Sequence, residues 1–285
     1  MDVYRNEFEL TASDGVRLFA QSWAPPVPRG AIVLVHGLAE HGGRYAWLAG
    51  RAAQRGFALM AVDLRGHGRS PGERTWVERF DDYLLDVDAL WAQAGTRFAG
   101  LPRFLMGHSM GGAVALAWAA QRRPPAAGMV LSSAALKIGG DVSRVLIALA
   151  PLLSRWVPRL RGTRIDPGLI SRDTAAVAAY VGDPLVSLAA PPARTGAELL
   201  AVMARSTGAA ASLALPVYLF HGSEDRLTDP EGSREVQAAW GGTDKTLRLW
   251  TGSRHETLND LDREAVAAEL LAWMGAHCGA IDGAR

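Results

Sequence analysis

Apolar and polar positions alternate in a repeating order along the chain. FELTASDGVRLFAQSW alternates on either side of Asp14-Gly15, which predicts the two strands of an opening hairpin. APPVPRG breaks the pattern. AIVLV (Ala31 to Val35) follows, a continuous apolar run of the kind buried on both faces of a parallel sheet. A helix is predicted around Arg44 to Gln54, with Gly56 as its stop. FALMAVD is the next strand, and Phe80 to Ala94 the next helix. Then come strand RFLM, helix Gly111 to Arg123, strand GMVLSSA, strand PVYLF, a helix near Gly232 to Trp240, strand TLRLW and a last helix from Arg263 to about His277. Strand and helix alternating in this way predict an α/β fold with a mainly parallel, doubly wound sheet.

One connection is oversized. Between the strand ending near Ala135 and the one starting at Pro216 lie roughly 80 residues, where a whole βαβ unit needs only about 30. The surplus carries helical patterns of its own in DVSRVLIALA, DTAAVAAYVG and TGAELLAVMARS. It leaves the sheet at the carboxyl end of a strand, the edge where parallel α/β sheets bind ligands. The expected organisation is therefore a core of residues 1–135 and 214–285 with a helical cap, residues 136–213, roofing the site.

Composition narrows the classes. The 285 residues are 49% hydrophobic and 21% charged, with a net charge of +1 and scattered arginines, which gives no footprint for nucleic acid. The single cysteine, Cys278, rules out an intrachain disulfide and a thiolate metal cluster. MDVYRNEFEL has acids where a signal peptide would have its apolar core. VLIALAPLL (Val145 to Leu153) is too short to span a bilayer and contains a proline. A cytoplasmic enzyme is expected, with transient contact of the cap with a membrane surface left open and the oligomeric state not given by the sequence.

The chemistry centres on RFLMGHSMGGAVALAWAA. A strand that reverses into a helix within a few residues strains the backbone at the apex and leaves no room for β-carbons two positions either side. Gly107 and Gly111 occupy those positions around Ser109, and Gly112 lets the helix approach the sheet closely. The Ser109 hydroxyl then stands at a helix N-terminus, where backbone N–H groups can face a developing negative charge. A serine nucleophile needs a base, and histidine suits neutral pH. In the order Ser…Asp…His that accompanies this motif, only His255 and His277 come late enough. His277 sits on the tail of the last helix and reads as a surface residue. His255, in TGSRHETLND just past a strand, lies at the edge where Ser109 emerges. His108 is expected to point away from the site, and His36, His67 and His221 to satisfy turns.

The base needs a carboxylate, and FHGSEDRLTDPEG supplies candidates. Asp225, just beyond its strand, is favoured. Asp229, before Pro230, reads as a turn or helix cap, and Asp141 after the preceding strand is a rival. The N–H groups of Met110 and Leu38 are the natural oxyanion donors, one following the nucleophile and the other in HGLAEHGG. No cofactor or metal is required.

HGLAEHGGRY, DLRGHGRS, GHSMGG, HGSEDRLTD and HETLND, in this order, resemble the monoacylglycerol lipase and lysophospholipase branch of the α/β-hydrolase superfamily, and LISRDTAAVAAYVGDPLV resembles its cap. The resemblance runs from about Phe8 to the last helix. It implies a serine esterase acting through an acyl-enzyme, with Ser109, Asp225 and His255 matching the triad and Leu38 and Met110 the oxyanion donors. The implied substrate is a small-molecule acyl ester, above all a monoacylglycerol. Lysophospholipase, short-chain or aryl esterase, thioesterase and peptidase activities are alternatives on the same machinery, and a non-catalytic binding protein is the other class. The family's cap typically forms an apolar tunnel. Val145, Leu146, Ile147, Leu149, Leu152 and Leu153 fit such a tunnel, and equally fit packing of the cap onto the body.

Overall fold

The computed structural model describes residues 3–140, 144–162, 164 and 166–278. One eight-stranded sheet organises them, in the order β1-β2-β4-β3-β5-β6-β7-β8. β1 (Tyr4–Thr11) and β2 (Arg17–Ala24) form the expected antiparallel hairpin, with Thr11 opposite Arg17, and β2 pairs antiparallel with β4 (Phe57–Val62). All later pairings are parallel. They join β4 to β3 (Gly30–Val35), β3 to β5 (Arg103–His108), β5 to β6 (Gly128–Ser132), β6 to β7 (Val217–Gly222) and β7 to β8 (Lys245–Trp250). β3, β4, β6 and β7 are buried at every position, as continuous apolar runs covered on both faces should be.

Helices cover both faces. α2 (Asp81–Arg97) and α3 (Met110–Arg122) pack with one apolar cluster, α1 (Ala46–Gln54) and α9 (Arg263–His277) with the other, and α8 (Pro230–Ala239) lies along β7 and β8. α1 starts two residues later than predicted because Gly42–Tyr45 form a 3₁₀ turn ahead of it. Asp229 caps α8 by accepting from the Glu231 N–H at 2.9 Å, the cap role its position before Pro230 suggested.

Between β6 and β7 the chain leaves the sheet and forms α4 (Arg144–Trp156), α5 (Thr174–Gly182), α6 (Ala193–Met203) and α7 (Ser206–Ala211). The sequence pattern anticipated the first three. α7 was missed because STGAAA carries no apolar periodicity. α4 packs on α6, and α6 and α7 pack on α3. Hydrogen bonds tie the excursion to the sheet's carboxyl edge: Ser187 N–H to Ala39 O at 2.9 Å, Glu256 N–H to Ile170 O at 2.7 Å and His41 Nε2–H to Asp183 at 2.9 Å. Val145, Leu149, Leu152 and Trp156 of α4 are 67%, 44%, 56% and 72% exposed. The apolar residues expected to line a tunnel or bind the cap to the body therefore include three that face outward. Among the described residues, no helix is long and apolar enough to cross a membrane.

Candidate active site

β5 ends at His108, and the chain turns at once into α3, with Ser109 between them at φ 51°, ψ −122°. Only a crowded backbone explains so unfavourable a conformation for a residue with a β-carbon. A β-carbon at Gly107 would collide with the Gly111 carbonyl, one at Gly111 with the carbonyl oxygens of Val35 and His36, and one at Gly112 with Ala134 Cβ. The turn is fixed by main-chain bonds. Ser109 N–H donates to Ser132 O at 3.0 Å, and Ser109 O accepts from Ala135 N–H and Gly112 N–H, each at 2.9 Å.

Two further strand ends converge on it. Beyond β7, Asp225 turns inward, and beyond β8 the loop carrying His255 folds back over it. Gly222 makes their approach possible, because a β-carbon there would strike the carbonyl oxygens of Ser253 and Arg254. Glu224 N–H donates to Ser253 O at 3.0 Å, lacing the loops together. The result is a chain of hydrogen bonds: Ser109 Oγ–H to His255 Nε2 at 2.9 Å, and His255 Nδ1–H to Asp225 Oδ2 at 2.7 Å. His255 and Asp225 are buried.

Burial alone would push the His255 imidazole down, but the Asp225 charge and hydrogen bond outweigh it, with Glu256 and Glu40 adding to them, so its pKa lies above 6.5. Burial would raise the Asp225 carboxyl. The charge of His255 and hydrogen bonds from His221 and His255 instead hold it far below the usual carboxylate range. At neutral pH the pair is an anionic carboxylate supporting an imidazole of raised basicity, which suits proton abstraction from a hydroxyl.

Met110 opens α3, so its N–H has no acceptor within the helix. The turn holding Leu38 lies against the serine: a β-carbon on Gly37 would sit 3.2 Å from Ser109 Cβ. Glu40 Oε1 accepts from Gly37 N–H at 2.6 Å and from the Tyr45 hydroxyl at 2.9 Å. Arg44 joins Glu40 to Glu256, donating to Glu40 at 2.6 Å and to both Glu256 oxygens at 2.7 Å. Its guanidinium lies 4.7 Å from the ring centre of Tyr180, on α5. Despite burial, Arg44, His108 and His36 hold the Glu40 carboxyl down at about 2.

His108 does not point away from the site as its position suggested. Its ring centre is 5.0 Å from that of His255, Nδ1 is 3.1 Å from Ser132 Oγ, and burial lowers its pKa to about 4. His36 satisfies its turn, donating from Nδ1 to Gly37 O at 2.7 Å and accepting from Leu64 N–H at 2.9 Å. His67 does so through Arg65 O at 3.0 Å. His277 sits on the tail of α9, partly exposed, and donates from Nε2 to Asp244 at 3.0 Å. His221 is not merely a turn residue either, since it contacts Asp225 Oδ2 at 2.9 Å. The rival carboxylate Asp141 and the side chain of Leu146 lie outside the described residues. The Glu40–Arg44 pair was a missed signal, with two opposite charges four apart directly after the glycine turn. Among the described residues, no group of three or more His, Cys, Asp or Glu gathers as a metal site.

A mainly parallel sheet with a strained serine turn at its carboxyl edge defines the class: an α/β-hydrolase fold and a serine hydrolase. A profile of the Hydrolase_4 family, described as serine aminopeptidase, S33, matches residues 26–262, and the chain belongs to that family. A monoacylglycerol lipase of Mycolicibacterium smegmatis is 35% identical over 96% of this chain and 98% of its own. The monoglyceride lipase of Homo sapiens is 34% identical over 95% and 91%. The crystal structure of the Paleococcus ferrophilus monoacylglycerol lipase superposes with a TM-score of 0.82 at 32% identity, covering 97% of this chain and all of that one. Together these likenesses make the protein a carboxylic ester hydrolase.

Proposed function

We propose that the protein hydrolyses monoacylglycerols in two steps, with Ser109 as nucleophile, His255 as general base and acid, and Asp225 as the carboxylate that orients His255. The unbroken hydrogen-bonded chain from Ser109 Oγ through His255 to Asp225 Oδ2 carries this reading. His255 takes the Ser109 proton as Oγ attacks the ester carbonyl, and the N–H groups of Leu38 and Met110 hold the oxyanion. The imidazolium then protonates the leaving alcohol, and water activated by the same imidazole releases the fatty acid from the acyl-enzyme.

The monoacylglycerol assignment rests on the named activities of the relatives at 34–35% identity over nearly the whole chain. Residues 1–135 and 214–285 are the hydrolase core in this reading, and 136–213 the cap. The two acids flanking the serine turn, Glu40 and Glu256, are both paired with Arg44, so neither is left to hold a free amine, and ester substrates are favoured over peptides. The outward apolar face of α4 supports transient contact of the cap with a lipid surface, the source of such a substrate.

A substrate panel of monoacylglycerols of graded chain length, a lysophospholipid, p-nitrophenyl esters, an acyl thioester and an aminoacyl amide tests this reading. Long-chain monoacylglycerol should have the highest kcat/KM, and a fluorophosphonate should label Ser109. Highest turnover of the amide would replace the lipase reading with a peptidase, and failure to label Ser109 would remove the proposed nucleophile.

A further inference from the structure

Asp225 is held by more groups than a triad requires. Oδ1 accepts from the N–H groups of Leu227 and Thr228 at 2.9 and 3.1 Å, and the Thr228 hydroxyl lies 2.8 Å from Oδ2. Those three bonds all come from the acid's own loop. His221 adds a bond of another kind. It is the fifth residue of β7, wholly buried, and its Nε2 lies 2.9 Å from Asp225 Oδ2, the same oxygen that receives His255 Nδ1–H. Its other nitrogen, Nδ1, lies 2.8 Å from Ser233 Oγ on α8, which is also buried.

The carboxylate requires the proton on His221 Nε2, so Nδ1 accepts from the Ser233 hydroxyl. The polar chain thus runs from Ser233 through His221 to Asp225 Oδ2, and from that oxygen to His255 and Ser109. A packing role alone would be met by an apolar residue, without burying two ring nitrogens that need partners. We propose that His221 is a positioning residue that acts on the base through the acid: two imidazoles share one carboxylate oxygen, and His221 limits how strongly that oxygen draws on His255. The inference rests on the reading of Ser109, His255 and Asp225 as the catalytic groups.

The consequence has a definite sign. If the His221 donor is removed, Oδ2 keeps only the Thr228 hydroxyl and His255 as side-chain partners and draws more strongly on His255. The imidazolium is then better stabilised, the His255 pKa rises, and the acid limb of the rate profile moves to higher pH. The other groups facing His255, namely Glu40, Glu256 and His108, and the others facing Asp225 and His221, namely Thr228 and Ser233, stay in place. Losing one contact on the carboxylate also loosens His255 against Ser109, which lowers kcat more than it alters substrate binding.

The experiment compares His221→Phe and His221→Gln in the full chain, measuring kcat and KM against pH with p-nitrophenyl butyrate. The Phe variant should lose about 10- to 100-fold in kcat, the scale of one charge-assisted hydrogen bond, with KM within about twofold. Its acid limb should rise by about half a pH unit or more. Gln, whose amide N–H reaches towards the Nε2 position, should recover much of the loss and return the limb. If Phe does not fold, Ser233→Ala, which frees the His221 ring to rotate, should shift both quantities the same way by a smaller amount. A folded Phe or Ala variant with unchanged kcat and an unmoved limb overturns the proposal. A loss equal at every pH, tracking Tm and not recovered by Gln, also overturns it. Ser109→Ala is measured alongside: full activity there would sink the underlying reading, whereas an inactive Ser109→Ala beside an unaffected His221→Phe would sink only this one.

Discussion

Ser109 Oγ and His255 Nε2 lie 2.9 Å apart although 146 residues separate them in the chain. The contact is made because β5 and β8 end at the same edge of the sheet, and because Gly222 lets the His255 loop close down on the end of β7. A hydroxyl within reach of an imidazole already bonded to a buried carboxylate is arranged for proton transfer.

Substitution separates the two aspartates of the acid loop. Ser109→Ala should cost on the order of 10⁴ to 10⁶ in kcat. Asp225→Asn should cost about 10⁴, since the amide favours the wrong tautomer of His255. Asp229→Asn should leave kcat near the parent value, because Asp229 caps α8 and asparagine caps equally well. Steady-state kinetics on one soluble ester decides it, and the reverse order for the two aspartates would reassign the acid.

The rate should carry an acid limb above the ordinary histidine value. Asp225 raises the His255 pKa, so the imidazole protonates and stops acting as a base while the solution is still near neutral. kcat/KM should fall tenfold per pH unit below a midpoint higher than about 6.5. A rate that stays level down to pH 5 would exclude a histidine base.

Stability should have an acid limb of its own, from a different residue. Burial keeps His108 neutral, with a pKa of about 4, while in the unfolded chain it protonates near 6.5. The unfolded state therefore binds more protons between these values, and folding weakens as pH falls. Between pH 6.5 and 5 this one group should remove about 1.5 kcal/mol. His255 works in the opposite sense, because its raised pKa adds stability that is complete below about 6.5 and disappears as pH rises through the folded value. Urea titrations at the two pH values should show a smaller fall for His108→Asn than for the parent.

Gly112→Ala should press the new methyl into Ala134 Cβ and push α3 off the sheet, costing about 1 to 3 kcal/mol. Activity should fall with it, because Ser109 opens the same helix. Adding Ala134→Gly should restore part of both losses, and thermal melts of the three proteins would show it. Equal Tm in the single and double variants would mean that the overlap is relieved elsewhere.

The exposed face of α4 should matter at an interface and not in solution. Val145, Leu149, Leu152 and Trp156 recur at helical spacing, and no acid occurs between residues 142 and 165. Leu152→Ser with Trp156→Ser should weaken sedimentation with phospholipid vesicles and slow hydrolysis of a vesicle-borne long-chain ester. Turnover of p-nitrophenyl butyrate should be unchanged, and a parent protein that does not bind vesicles would refute the contact.

The sheet was legible because β3, β4 and β7 are continuous apolar runs bounded by turn residues, a pattern with few other uses. α7 was not, since STGAAA owes its helix to packing on α3 and α8. Ser109 could be read because the strained turn imposes glycine at fixed offsets, so its geometry is written locally. His221 could not. A histidine before a glycine at a strand end looks alike whether it satisfies its own turn, as His36 does, or meets a carboxylate four residues on. The path of the loop decides between these, and local spacing does not encode it. The bearing of His108 is not encoded locally for the same reason, because its neighbour is the ring of a residue that arrives from the far end of the chain.

The bonds that hold the turn at residue 109 run from backbone to backbone, to Ser132, Gly112 and Ala135, and the glycines around it make room without reference to the side chain they present. The turn is thus a socket that is indifferent to what is mounted in it. A thiol at position 109, close to the hydroxyl in size, would inherit the same bearing on His255 with the scaffold unchanged. A change of reaction type at this position therefore calls for retuning of the partners around it and leaves the fold as it is.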